Sequence, residues 1–164
     1  MAVYVDGSAL CRFFLDVPQS AAWREWASQR LPELRRSELS VTELRRVTAS
    51  LDRSARVVAD ALVERIREVR FSDQALARAA MVEGRLAPFA ALHFGIAKAE
   101  PDIDAIATYD PVLAATCHLH RVRVVTPGRA PLWWSSVVSR TPGAPEEGNA
   151  SPDAVVDPED GLPQ

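Results

Sequence analysis

Short apolar runs alternate along the chain with longer segments of helical period. Val3-Tyr4-Val5 is a β-branched and aromatic run ending in Asp6-Gly7-Ser8, the pattern of a strand feeding a tight turn. Residues 9–15 then read as a short inward-facing helix interrupted by Arg12. Pro18 opens a helix over 19–29 that carries Trp23 and Trp26 at i, i+3, a spacing that suits core packing. Leu39-Ser40-Val41 reads as a second strand, after which Ser40 or Thr42 caps a helix over 43–51. An amphipathic helix follows over 53–68, with Val57, Val58, Ala61, Leu62 and Ile66 inward. Val69-Arg70-Phe71 is the next strand, Ser72 caps a helix over 73–82, and Gly84 closes it. Pro88 starts a helix reaching Lys98; a buried strand over 104–108, a helix over 112–119 and a strand over 122–126 complete the pattern. Such alternation predicts an α/β fold of parallel βαβ units.

Composition changes this picture at one end. The 164 residues suit one domain with a real core, and the net charge is -3. The negative charge is concentrated beyond residue 128, where Glu146, Glu147, Asp153, Asp157, Glu159 and Asp160 oppose only Arg129 and Arg140. Residues 1–128 therefore form the expected folded domain and 129–164 an extension, with disorder predicted beyond about 140 from its Pro, Gly and acidic content. Trp133 and Trp134 are expected to dock on the body, since side by side in solvent they would form an adhesive patch. No apolar run is long enough to span a membrane and no leader pattern is visible, so a cytoplasmic protein is expected. Cys11 and Cys117 read as buried apolar residues rather than a bridge. Every cationic residue but Lys98 is an arginine, compatible with phosphate binding without indicating it.

Three acids share a position type. Asp6 follows the first strand, Glu43 opens the helix after the second, and Asp110 follows the strand over 104–108. In a parallel sheet all three stand at the carboxyl edge, where ligands bind in open α/β folds. Each alone is explained as a helix cap or first-turn residue. Together they repel: at an effective dielectric of about 20, a pair about 4 Å apart costs about 4 kcal/mol, which a hard divalent cation would offset. Ser8, next to Asp6, is placed to orient a metal-bound water, and Arg45 and Arg46 to meet phosphates or solvent. His93 reads as a packed, hydrogen-bonded histidine; His118 and His120 read as surface residues.

The run Val-Tyr-Val-Asp6-Gly-Ser8-Ala-Leu10 resembles the opening motif of PIN-domain ribonucleases. Ser37-Glu-Leu-Ser-Val-Thr-Glu43-Leu-Arg-Arg46 is similar to their second motif, Ala107-Thr108-Tyr109-Asp110-Pro-Val-Leu113 to their last, and Val-Arg-Val-Val-Thr-Pro-Gly128 to their closing strand. The resemblance spans about residues 1–128 and is nearest the VapC-type toxins of bacterial toxin–antitoxin pairs. It implies a three-layer α/β/α sandwich around a mainly parallel sheet of about five strands. It further implies a Mg2+-dependent endoribonuclease (Mn2+ being the alternative ion) that forms a homodimer, takes RNA as substrate and is inhibited by a cognate antitoxin. Asp6, Glu43 and Asp110 are the implied metal ligands. One position departs from the pattern: Ala90 in Phe89-Ala90-Ala91-Leu92-His93 stands where the family carries a metal-binding Asp. The alternative is a PIN-fold protein that binds an antitoxin or RNA without cutting it. Asp6-Gly7-Ser8 is also similar to part of the haloacid dehalogenase loop, but that chemistry needs a nucleophilic Asp two residues earlier, where Tyr4 stands.

Overall fold

The computed structural model describes residues 1–82 and 86–138. Five parallel strands form one sheet: β1 (Ala2–Val5), β2 (Leu34–Arg36), β3 (Arg67–Glu68), β4 (Ile103–Ala107) and β5 (Arg123–Val125), in the order β3-β2-β1-β4-β5. β1 is central and buried along its whole length, which is why its run is apolar on both faces. Successive residues serve opposite layers. Val3 and Val5 join Ala105 and Ala107 in one core, beneath α1 (Gly7–Leu10), α2 (Ser20–Ser28), α3 (Glu38–Thr48) and α4 (Arg53–Arg65). Tyr4 and Ile106 join the other, beneath α5 (Asp73–Ala80), α6 (Pro88–Ala99) and α7 (Pro111–Leu119). The three-layer sandwich is thus the observed architecture.

The second strand lies elsewhere than expected. Leu39, Ser40 and Val41 belong to α3, and β2 is formed by Leu34–Arg36. Ser37, neither Ser40 nor Thr42, caps α3: its Oγ accepts the Ser40 N–H, and Ser40 returns the bond in a capping box. Val41, Leu44 and Thr48 are buried at helical spacing, and this longer period overrides the three-residue run. β2 carries no apolar strand pattern because two of its three residues are arginines. They are half-buried there, Arg36 Nε donating to Val63 O and Arg35 lying 3.7 Å from Asp102. The third strand is likewise Arg67–Glu68 rather than 69–71, and α4 ends at Arg65. On α4 the buried positions are Ala59 and Val63, whereas Val57 and Val58 face outward at 60% and 58% exposure.

After β5 the chain turns at Gly128 (φ +84°) and folds back, burying Trp134, while Trp133 Nε1 donates to Thr126 Oγ1 at 3.1 Å. A short helix, α8 (Ser135–Val138), ends the described chain. The expectations for Gly84 and for the segment beyond 140 lie outside the described residues. Cys11 and Cys117 are both buried and unbridged, burial pushing their thiols up to about 11 and about 12. Among the described residues no helix is long and apolar enough to cross a membrane.

Candidate functional site

β1 lies between β2 and β4, so the chain leaves its carboxyl end at the point where strand order reverses. Asp6 is the first residue beyond β1 and caps α1, accepting the Ala9 N–H at 2.9 Å. The next strand over supplies Thr108, Tyr109 and Asp110 just past its end, and the Asp6 N–H bonds Ala107 O at 3.1 Å. Adjacent parallel strands thus bring Asp6 and Asp110, far apart in sequence, to one edge.

Asp6 is 3% exposed and its carboxylate is enclosed by the protein's own donors. Ser8 Oγ lies 2.7 Å from Oδ1 and 3.0 Å from Oδ2, and Thr108 Oγ1 donates to Oδ2 at 2.6 Å. Both hydroxyls are used twice: Ser8 Oγ accepts the Tyr109 N–H at 2.7 Å, and Thr108 Oγ1 accepts the Asp110 N–H at 3.0 Å. Burial raises the Asp6 pKa above the usual carboxylate range, opposed by the charge of His93 and by the bonds from Thr108, Ala9 and Ser8. Asp110 is itself a cap, Oδ1 accepting from the Val112 and Leu113 N–H groups that open α7.

Glu43 arrives from the other layer. It lies in the second turn of α3, not the first, so the helix dipole does not account for it. Gly7 makes its approach possible, since a Cβ on that residue would collide with the Glu43 carboxylate. Glu43 Oε2 lies 2.8 Å from His93 Nε2, so with an ionised carboxylate that ring nitrogen carries hydrogen. His93 Nδ1 lies 2.7 Å from Tyr4 Oη, which is itself 2.7 Å from Ser37 Oγ, while Ser40 Oγ donates to Val5 O. A buried chain of hydrogen bonds therefore links Glu43, His93, Tyr4 and the α3 cap, and burial pushes the Tyr4 phenol well above its ordinary value. His93 is the packed histidine expected from sequence; His118 and His120 are exposed. Ala90, in the first turn of α6, is buried in the core beneath the same edge.

These residues do not fit a divalent cation. Three donors already reach the Asp6 carboxylate, the Ser8 and Thr108 hydroxyls and the Ala9 N–H, and Glu43 is paired with His93. Ala90 brings no oxygen. Among the described residues no group of three or more His, Cys, Asp or Glu side chains is arranged to hold a metal. Ser8, expected to orient a metal-bound water, spends its hydroxyl on Asp6 and the Tyr109 backbone. Arg45 and Arg46 are exposed on α3, Arg45 lying 3.8 Å from Asp60 of α4. Asp102 and Asp104 stand at the opposite end of the sheet, where Asp104 accepts the Ala2 N–H.

Three further residues take part. Thr108 carries a sequence signal, a hydroxyl ending the strand beside β1. Tyr4 has the pattern of any strand aromatic, and Arg12, which lies over the Tyr109 ring at 3.7 Å, that of a break in an apolar helix.

No curated protein matches the sequence. Among solved structures the fold is similar to that of VapC20 of Mycobacterium tuberculosis, described as a sarcin–ricin loop cleaving toxin. The two share 15% identity over 70% of this chain and 94% of that one, with a TM-score of 0.57. The PIN domain model matches residues 3–130. With the sheet order and the Asp6–Thr108–Asp110 edge, that match places the chain in the PIN domain family.

Proposed function

We propose that this chain is a PIN-fold protein of the toxin–antitoxin kind that acts by binding, engaging an antitoxin or RNA without metal-dependent cleavage. The observation that carries this reading is the internal satisfaction of the carboxyl edge. Asp6 accepts hydrogen bonds from Ser8, Thr108 and the Ala9 N–H, and Glu43 is turned onto His93. In such an arrangement the negative charge is held by hydrogen bonds and an imidazole rather than left for an ion. Replacing an ion by fixed donors keeps the fold and its surfaces while removing the means of activating water. The antitoxin, the RNA ligand, homodimerisation and the domain boundary near residue 128 belong to this proposal, as do Arg45 and Arg46 as phosphate contacts.

The second reading is a Mg2+- or Mn2+-dependent endoribonuclease using Asp6, Glu43, Asp110 and Ser8. It is favoured by the placement of Asp6 and Asp110 at the ends of adjacent parallel strands. One experiment separates the two. The full chain is incubated with RNA in Mg2+ and in Mn2+ beside the Asp6→Asn variant, and Mn2+ binding is measured calorimetrically. We expect no cleavage above the variant and no Mn2+ binding at millimolar concentrations. Metal-dependent cleavage lost in Asp6→Asn would overturn the binding-only reading.

A further inference from the structure

The negative charge of this chain and its unpaired cations lie in different parts of the sequence. Residues 139–164 carry Glu146, Glu147, Asp153, Asp157, Glu159 and Asp160 against Arg140 alone. Within them, Asp153-Ala-Val-Val-Asp157-Pro-Glu159-Asp160 holds two β-branched apolar side chains between carboxylates and includes no cation. Such a segment suits a surface that is both apolar and positive.

The folded domain has one beside the point where the described chain ends. A groove of about 500 Å³ runs along β5 between Trp26 of α2 and Trp134, with Val125, Thr126, Arg129 and Leu132 along it. The turn at Gly128 builds it: a Cβ there would sit 3.0 Å from Ala22 Cβ and Gln19 Cγ, so the backbone lies directly on α2. Arg129 stands 4.9 Å from the Trp133 ring centroid and Arg30 5.2 Å from that of Trp26. Arg12 adds a third cation, 3.7 Å from the Tyr109 ring, whose hydroxyl donates to Pro127 O in the groove wall. Among the described residues none of these three guanidiniums is within ion-pair distance of a carboxylate, unlike Arg24, Arg35, Arg36 and Arg45. A second apolar groove, of about 260 Å³ between Phe13, Phe14, Val58 and Leu62, has a single cation, Arg65, and is the poorer match.

We infer that residues 153–160 of this same chain dock in the groove between Trp26 and Trp134, with carboxylates on Arg129 and Arg30 and Val155-Val156 against the indoles. The connection is short. Trp134 is a wall of the groove, and α8 carries the chain from it to Val138, fifteen residues before Asp153. A free chain of that length has an r.m.s. span of about 20 Å and a full reach of about 50 Å. The segment therefore meets the groove at an effective concentration of about 1 mM, enough for weak, salt-screened contacts to hold it there. The contact is internal to the chain and stands apart from whether the chain cuts RNA or only binds.

The test uses the full chain and a fluorescein-labelled peptide of residues 151–162, followed by anisotropy at low salt. Beside the parent stands a full chain with the neutralised segment Asp153→Asn, Asp157→Asn, Glu159→Gln and Asp160→Asn. The neutralised chain is expected to bind the peptide about tenfold more tightly than the parent, the ratio that an internal competitor at about 1 mM gives against a Kd of about 100 μM. Adding Arg129→Gln to the neutralised chain is expected to weaken binding about tenfold, and adding Arg53→Gln, exposed on α4, to leave it unchanged; circular dichroism checks that all variants are folded. Equal binding by parent and neutralised chain means that the groove is open to an external partner, and overturns the inference. An unchanged affinity after Arg129→Gln, or no binding by the neutralised chain, overturns it also. A parent that is dimeric by light scattering at low salt and monomeric once neutralised carries the segment on a second copy, which overturns docking within one chain. None of these outcomes touches the binding-only reading, because neither RNA nor metal enters the assay.

Discussion

The Ser8 hydroxyl is shared between the Asp6 carboxylate, to which it donates, and the Tyr109 N–H, from which it accepts. It therefore ties β1 to the turn after β4 across one atom. Ser8→Ala removes both bonds and leaves the Tyr109 N–H unpaired, which costs about 1–3 kcal/mol when such a group is buried. The expected result is a fall of that size in unfolding free energy, measured in urea; an unchanged midpoint would show that the hydroxyl does not bridge the strands. Glu43 makes the complementary point. In the sequence it is one more acid near a helix start, and its partner His93 lies fifty positions later. Their pairing turns a candidate ligand into half of an internal hydrogen-bonded pair, and no spacing rule within either helix reveals that.

Helix packing here depends on close backbone approach at two glycines. Gly7 admits Glu43 of α3, and Gly95 of α6 lies against α5, where an added Cβ would meet Ala75 O and come within 2.8 Å of Ala79 N. Alanine normally gains about 1 kcal/mol over glycine inside a helix. At Gly95 that gain is outweighed, because the obstruction is backbone and cannot rotate away; overpacking of this kind costs about 1–3 kcal/mol. Gly95→Ala is therefore expected to lower the thermal midpoint, and a stabilised variant would refute the close contact between α5 and α6. The same scale shows how elements are misread. Leu39-Ser40-Val41 satisfies a strand pattern over three residues, yet α3 satisfies a helical one over eleven and has a capping box at Ser37. The longer pattern with a satisfied end prevails, and Glu43 shifts from the first turn to the second as a consequence.

The molecule as a whole is graded from centre to edge. β1 is buried throughout and pairs on both sides, whereas β3 has two residues and β5 three, each with an exposed arginine. Short, charged edges discourage pairing with other chains. Amide hydrogen exchange should be slowest at Val3–Val5 and Ala105–Ala107 and fastest among the strands at β3; equal protection across the sheet would contradict this gradient. The sequence alone determined most of this architecture: β1, β4, α5, α6 and α7 lie where the apolar periods and the caps Ser72 and Asp110 place them, and parallel βαβ units follow, the three-layer sandwich being what the family resemblance implied. Asp6 and Asp110 were legible too, since a carboxylate ending a buried strand must stand at the sheet's carboxyl edge. Only the tertiary structure decided what those carboxylates do. The hydrogen bonds between Thr108 and Asp6 and between His93 and Glu43, and the core cluster that buries Ala90, join residues distant in sequence. Periodicity and capping act within a few residues and can be read locally. The partner of a charge is set by which helices and strands pack together, and that is a property of the folded chain.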